Sequence, residues 1–304
     1  MEENAKRNPQ DANPPAAGAA RRAAADPDLL SLVLTLRPAA PACDAEAPAW
    51  WGRAAHALLL NVVEQADPAL AAGLHEGSGP RPFTASSLLG HFPARRLDPE
   101  GGYLLRLTAI QAGVAGILLR AAGAGGPLAL GATPELAHQR LRVESVCVDA
   151  TGHPWAGLST YPELAAAQLV GPAPAARQIS LSFTSPTTFR SQERHVPLPL
   201  PELVFGSLLE RWNAFSPLAF PAETKRYAAE CLAVSRFDLS SRPVPAKEGG
   251  LRVGGIGQIT YVTLNYDRYW MSVLNALAAF ALFSGVGVAT ATGLGQCRQL
   301  SPEE

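Results

Sequence analysis

A histidine and an arginine flank a glycine- and proline-containing turn in the segment 74–86, LHEGSGPRPFTAS. A solvated histidine titrates near neutral pH, so His75 could donate or accept a proton. Arg81, six residues later, could stabilise negative charge that develops on a phosphate. The pair suits metal-free RNA cleavage, in which a ribose 2′-hydroxyl attacks the adjacent phosphate. A loop histidine is also common as a plain surface residue, and that alternative stays open. His56, within a predicted helix, is a further candidate that could equally pack or cap.

A glycine-rich loop near the C-terminus is the second chemical feature of the sequence. Its glycines are Gly285, Gly287, Gly293 and Gly295. Because glycine has no Cβ, such a loop lets backbone N–H groups approach a phosphate closely. In dinucleotide-binding folds the loop follows a strand and opens a helix, whereas here a helix precedes it and a short strand follows. This order disfavours a nucleotide cofactor and favours a loop held against a polymer backbone. A tight helix-to-strand connection is the alternative.

Two arginines offer further phosphate contacts. Arg190 and Arg194 follow the turn Ser185-Pro186-Thr187, and a solvated surface explains them equally well. The chain contains 25 Lys and Arg residues, of which only Lys6, Lys225 and Lys247 are lysines. Arginine binds phosphate in a planar, bidentate manner, but a GC-rich genome also produces this bias. The net charge of −1 gives no global signature of nucleic-acid binding, so a binding face must come from local clustering.

The cysteine spacing bears on metal sites, and the two terminal segments bear on secretion and membrane insertion. The four cysteines are scattered without a CxxC pair, so we expect no metal, no cofactor and a cytoplasmic location. Residues 1–26 lack the apolar core of a signal peptide and are predicted to be a disordered tail. No charged residue lies between Arg268 and Arg298, but the uninterrupted helical part falls short of the roughly 20 residues that span a bilayer. A buried core helix is therefore favoured over a membrane tail anchor.

The predicted elements form the same order twice. Residues 29–36 fit a strand, 50–65 a helix, 83–89 and 103–110 strands, 111–123 a helix and 141–149 a strand. After a connection at 151–176, residues 178–183 fit a strand, 201–214 a helix, 232–240 and 252–265 strands, 268–283 a helix and 295–300 a final strand. Two β-α-β-β-α-β units predict an α+β protein with tandem ferredoxin-like (RRM-like) domains over 27–150 and 177–300. RNA-recognition modules use this topology.

Three stretches of the chain resemble the CRISPR-associated endoribonuclease that cuts precursor crRNA within its repeats (the sixth Cas family, RAMP superfamily). They are LHEGSGPRPFTAS at 74–86, SFTSPTTFR with PLPLPELVFGSLLERWN at 182–213, and FSGVGVATATGLGQCR at 283–298. Their order and co-occurrence make the resemblance specific, and it spans about residues 27–300. It implies two ferredoxin-like domains and metal-independent cleavage that leaves a 5′-hydroxyl and a cyclic or 3′-phosphate.

The resemblance also assigns roles to residues. His75 falls on the family's catalytic histidine and Arg81 on a basic position that stabilises the transition state. Some members add a tyrosine on the first helix, where this chain has Leu60, which has no hydroxyl. The enzyme would then use His75 and Arg81 alone, recruit His56, or be slow. The glycine loop, Arg190 and Arg194 would contact RNA.

The implied partners are CRISPR repeat RNA and an effector complex, with monomer and homodimer both open. The alternatives to an endoribonuclease are an inactive crRNA-binding subunit and, more remotely, a tail-anchored membrane protein.

Overall fold

The computed structural model describes residues 26–39, 46–76, 79–246 and 249–301, without the side chains of His75 and Glu76. Residues 1–25 of the predicted disordered tail lie outside this part. The N-terminal half consists of β1 (Leu29–Pro38), α1 (Gly52–Ala66), α2 (Pro68–Glu76), β2 (Phe83–Ala85), β3 (Tyr103–Ala109), α3 (Ala112–Ala122), β4 (Glu135–Leu136), β5 (Gln139–Cys147), β6 (Gly157–Ser159) and α4 (Tyr161–Leu169).

The C-terminal half repeats the pattern with additions. Its elements are β7 (Gln178–Thr187), β8 (Phe189–Ser191), β9 (Arg194–Val196), α5 (Pro201–Phe215), α6 (Glu223–Cys231), β10 (Leu232–Pro245), β11 (Leu251–Thr263), α7 (Arg268–Ser284) and β12 (Cys297–Gln299). Short 3₁₀ turns lie at Pro93–Arg95 and Thr290–Thr292.

Each half contains a main antiparallel sheet, and the two main sheets have the same strand order; β8 and β9 form a separate two-stranded sheet. The N-terminal sheet runs β2-β3-β1-β5-β4, with β6 also paired to β1, and the C-terminal sheet runs β10-β11-β7-β12. In both, the first strand of the β-α-β-β-α-β unit pairs with the third and the fourth. That shared order is the ferredoxin-like arrangement, so the predicted tandem fold is confirmed. β1 is buried along most of its length, as its apolar sequence LLSLVLTL and its central position require.

Helix α7 is the main core element of the C-terminal half. Its N-cap Asp267 accepts a hydrogen bond from the Trp270 N–H, and the helix ends at Gly285, which has φ 60°. Most of its residues between Met271 and Ser284 are buried among β7, β11 and α5. A second core joins α1, α3 and the N-terminal sheet, and Ala291 of the glycine loop packs into it. Within the part that the structure describes, no helix is both long and apolar enough to cross a bilayer.

The sequence pattern missed several short elements. Helices α2, α4 and α6, strand β6 and the β8–β9 hairpin were not predicted. The segment 151–176, predicted as a connection, contains β6, which extends the N-terminal sheet, and α4, which packs on α7. The domain limits 27–150 and 177–300 stay a prediction.

Buried polar contacts join the two halves. The guanidinium of Arg106 on β3 donates to the Gln296 side chain through Nε at 2.9 Å and to the Leu282 carbonyl through Nη1 at 2.7 Å. The Thr108 hydroxyl donates to the Phe283 carbonyl at 2.6 Å. These bonds attach β3 of the first half to the end of α7 and the chain after the glycine loop. The loop is therefore held between the two halves.

Candidate functional site

A cavity of about 400 Å³ lies where the glycine loop meets both halves. The N-terminal half contributes the turn 79–81, and the C-terminal half contributes the start of β8, one face of α5 and Lys225 of α6. Loop residues 287–291 form the rest of the wall. Segments some 200 residues apart in the sequence thus line one space.

Helix α2 positions the histidine motif beside this cavity. Asp67 accepts a hydrogen bond from the Leu70 N–H at 2.9 Å and Pro68 opens the helix, a favourable combination for helix initiation. Helix α2 ends at Glu76, so His75 lies in its last turn, at the end of a helical region. The position of the His75 side chain lies outside the described residues. Arg81 is half-buried, and its Nη1 donates to the carbonyl of Leu74, the residue before His75.

The glycines of the loop are required by backbone geometry. All four have positive φ, from 60° at Gly285 to 101° at Gly293. A Cβ on Gly287 would lie 2.4 Å from the Thr188 carbonyl oxygen, and one on Gly295 would lie 2.0 Å from the Val286 carbonyl oxygen. The loop thus folds against itself and against the end of β7, where no larger residue fits. This packing supports the connection interpretation for these glycines.

Helix α1 anchors the loop from the N-terminal half. The Trp50 indole, just before α1, donates to the Thr292 carbonyl at 2.7 Å, and His56 Nδ1 lies 3.1 Å from the Ala291 carbonyl. The His56 ring also lies 5.5 Å from that of Phe83. Leu60, one turn further along α1, is buried. His56 is therefore placed to hold the loop, while its predicted catalytic role stays a prediction.

The structure brings together only some of the predicted site residues. Arg81, Arg190 and Gly287 line the cavity. Gly285, Gly293, Gly295, His56 and Arg194 are not among its lining residues. Arg194 is exposed on β9.

Helices α5 and α6 supply site residues that the sequence analysis missed. Arg211 donates from Nη2 to the Gly287 carbonyl at 2.7 Å, and Ser207 accepts a hydrogen bond from the Gly287 N–H at 2.9 Å. The Lys225 side chain crosses Gly206, where an added Cβ would lie 3.2 Å from Lys225 Cδ. The sequence carried one signal for Arg211, because helical spacing places this charged residue on the buried face of α5 with Leu208 and Trp212.

The cavity is more positive than the chain as a whole. Its lining carries four basic residues and two acidic ones, namely Arg81, Arg190, Arg211, Lys225, Glu202 and Glu210. Burial lowers the pKa of Arg211 to about 10, with the charge of Glu210 opposing the shift. Arg211 therefore remains charged at neutral pH. Such clustering in a chain of net charge −1 fits the binding of an anionic polymer.

Family models match both halves of the chain. The CRISPR Cas6 N-terminal domain matches residues 29–99, and the CRISPR-associated endoribonuclease Cas6 matches residues 181–297. The second match contains Arg190, Arg211 and Gly287 of the cavity.

A curated relative and two solved structures agree with these matches. The chain is 28% identical over 170 residues to a CRISPR-associated endoribonuclease Cas6 of Mycobacterium tuberculosis, covering 54% of this chain and 52% of the relative. The chain thus spans about half the length of the curated relatives it matches. A Cas6 product complex from Thermus thermophilus is 29% identical with a TM-score of 0.74, covering 91% of this chain and 100% of that one. A Cas6 substrate mimic complex is 29% identical with a TM-score of 0.67, covering 90% and 99%.

Proposed function

This chain belongs to the Cas6 family of CRISPR-associated endoribonucleases, and we propose that it binds CRISPR repeat RNA and cleaves precursor crRNA without a metal ion. The observation that carries the proposal is the cavity between the halves. It joins Arg81, Arg190 and the glycine loop, and the backbone of His75 lies next to the residue that Arg81 binds. The matching endoribonuclease family model supports RNA as the ligand, and the similar structures include a product complex and a substrate-mimic complex.

In this proposal the ribose 2′-hydroxyl attacks the adjacent phosphorus. A new bond forms between O2′ and phosphorus, and the bond from phosphorus to the 5′-oxygen breaks. The O2′ proton leaves to a general base and the departing 5′-oxygen gains a proton from a general acid. His75 serves as one of these two groups, and water accepts or supplies the other proton. The products are a 5′-hydroxyl and a 2′,3′-cyclic phosphate.

Arg81 stabilises the negative charge that develops on the phosphate oxygens. An arginine carries five N–H donors, and its bond to the Leu74 carbonyl uses Nη1. The same bond fixes the side chain beside the end of α2. Arg190, Lys225 and loop residues 287–291 hold the RNA backbone.

The test uses labelled repeat RNA with wild type and His75→Ala in EDTA. We expect wild type to cut once and the variant to be slower by about 100-fold to 10,000-fold, the usual contribution of general acid–base catalysis. A repeat with a 2′-deoxyribose at the cut site should remain intact, because it lacks the nucleophile. Equal cleavage by both proteins would overturn the role of His75. Cleavage of the deoxy substrate would overturn the 2′-hydroxyl mechanism.

A crRNA-binding subunit without cleavage is the second candidate, favoured by one observation. Leu60 is buried and supplies no hydroxyl where some family members place a tyrosine. Under this alternative the wild type would retain the repeat on a native gel and leave it uncut. If the protein instead cleaves the repeat and keeps the product bound for transfer to an effector complex, the result supports the first proposal.

A further inference from the structure

Arg211 is a buried charge without a matching carboxylate. It is only 8% exposed and lies on the same face of α5 as the core residues Leu208 and Trp212. Among the described residues, no carboxylate lies within ion-pair distance of its guanidinium. Burying a charge is costly unless it is paired and hydrogen-bonded. The charge of Glu210 offsets part of this cost without forming an ion pair, so the position can still bind a further anion.

The hydrogen bonds of this side chain are also incomplete. Nη2 donates to the Gly287 carbonyl at 2.7 Å, whereas the buried Nη1 has no acceptor in the part of the chain that the structure describes. A buried donor without an acceptor is rare in native proteins and costs stability. Arg211 forms part of the cavity wall together with Arg190 and Lys225. The missing acceptor is therefore expected from a ligand in the cavity.

We infer that Arg211 binds a phosphate of the RNA in this cavity and completes its hydrogen bonding there. The inference rests on the proposed function and adds a residue to its binding site. Guanidinium binds phosphate through parallel N–H donors, and the low dielectric of a buried site strengthens the interaction. Because the same guanidinium holds the Gly287 carbonyl, the bound phosphate would also fix the glycine loop.

The test measures binding separately from cleavage. A repeat RNA with a 2′-deoxyribose at the cut site is titrated with wild type and Arg211→Gln at several salt concentrations. We expect the variant to bind about 10-fold to 100-fold more weakly, the range for a hydrogen bond to a charged group. The slope of log affinity against log salt should fall in magnitude by about 0.7, the value for one phosphate contact on a single strand.

Two matched controls isolate the phosphate contact. Arg226→Gln removes the same charge from an exposed position on α6 and should leave the salt slope unchanged. Ser207→Ala removes the other bond between α5 and Gly287 and should leave the slope unchanged even if affinity falls. A slope change in Ser207→Ala equal to that in Arg211→Gln would overturn the inference, because Arg211 would then act only by holding the loop.

The outcomes separate this inference from the proposed function. If wild type does not bind the repeat, the proposed function fails as well. If wild type binds and Arg211→Gln matches it in affinity and slope, only the role of Arg211 fails. Should Arg211→Gln not fold, Arg211→Lys takes its place. It keeps the charge but not the planar donor pair, so it should keep the salt slope and lose affinity. Unchanged affinity would overturn the inference.

Discussion

Arg106 and Arg211 are both buried arginines, at 5% and 8% exposure, and neither has a carboxylate partner among the described residues. Their hydrogen bonding differs. All three nitrogens of Arg106 donate to neutral acceptors, on Gln296, Leu282 and Ser31. Arg211 has one acceptor and one buried nitrogen without any in the described part of the chain.

The surroundings explain this difference. Arg106 lies where β3 meets the end of α7, and its donors attach one half of the molecule to the other. Arg211 lies on the wall of the cavity beside the glycine loop. A buried arginine whose donors are satisfied by the protein serves the fold, whereas one with an unused donor beside a cavity fits a ligand site. Substitutions at these arginines and at their neighbours distinguish the two roles.

The largest effect is expected for Arg106→Met. The substitution leaves the acceptors on Gln296, Leu282 and Ser31 without their donor, and each buried unsatisfied group costs about 1–3 kcal/mol. The variant no longer buries a charge, and this gain offsets part of the cost of the unsatisfied acceptors. We therefore expect the free energy of unfolding, measured by urea titration, to fall by about 3 kcal/mol. Arg142→Met, on the exposed face of β5, should change it by less than about 0.5 kcal/mol. Equal stability of Arg106→Met and wild type would contradict a structural role.

The second-largest effect is expected on the rate of RNA cleavage. Arg81→Ala should slow single-turnover cleavage of repeat RNA by about 100-fold, because it removes charge stabilisation in the transition state. The thermal midpoint should stay within a few degrees, since Arg81 is only half-buried. A matched Arg142→Ala variant should cleave at the wild-type rate. If Arg81→Ala cleaves at the wild-type rate but has a clearly lower thermal midpoint, Arg81 is a structural residue like Arg106.

A smaller effect on stability is expected for Arg211→Met. It loses the bond to the Gly287 carbonyl but also removes a buried charge with an unsatisfied donor. We expect about 1 kcal/mol of destabilisation in the same urea titration, well below that of Arg106→Met. If the two variants lose the same stability, the contrast between a structural and a binding arginine does not hold.

The smallest effect concerns pH and His153, close to Arg106. Burial and the charges of Arg106 and Arg298 lower the pKa of His153. Because the folded pKa lies below the unfolded value near 6.5, protons favour the unfolded chain. This contribution to stability is present above pH 6.5 and is lost as the pH falls from that value through the lower folded pKa. His153→Asn, which keeps an acceptor for the Trp155 N–H, should lose less stability than wild type between pH 8 and pH 5. If both proteins lose the same free energy of unfolding between pH 8 and pH 5 in urea titrations, groups other than His153 cause the loss of stability in acid.

Much of the fold was predictable because its long elements have regular patterns. The alternating sequence GQITYVTLN predicted most of β11, and the uncharged run after Arg268 predicted α7. Short elements escaped because few residues carry a pattern there. The nine residues of α2 follow directly on α1, so only Asp67-Pro68 marks its start. The β8–β9 strands have three residues each, too few to alternate visibly.

By itself, the sequence determined the two β-α-β-β-α-β units, the histidine and arginine motif and the glycine loop, because these depend on local periodicity and on glycine's conformational freedom. Only the tertiary structure decided which of these residues share a space. Arg81, Arg190 and Gly287 meet at one cavity, while Arg194 lies on an exposed strand and the other loop glycines are not among the residues that line the cavity. It also revealed Arg211, whose helical spacing predicts a core position. Contacts between segments distant in the chain arise from packing, and local sequence patterns do not encode them.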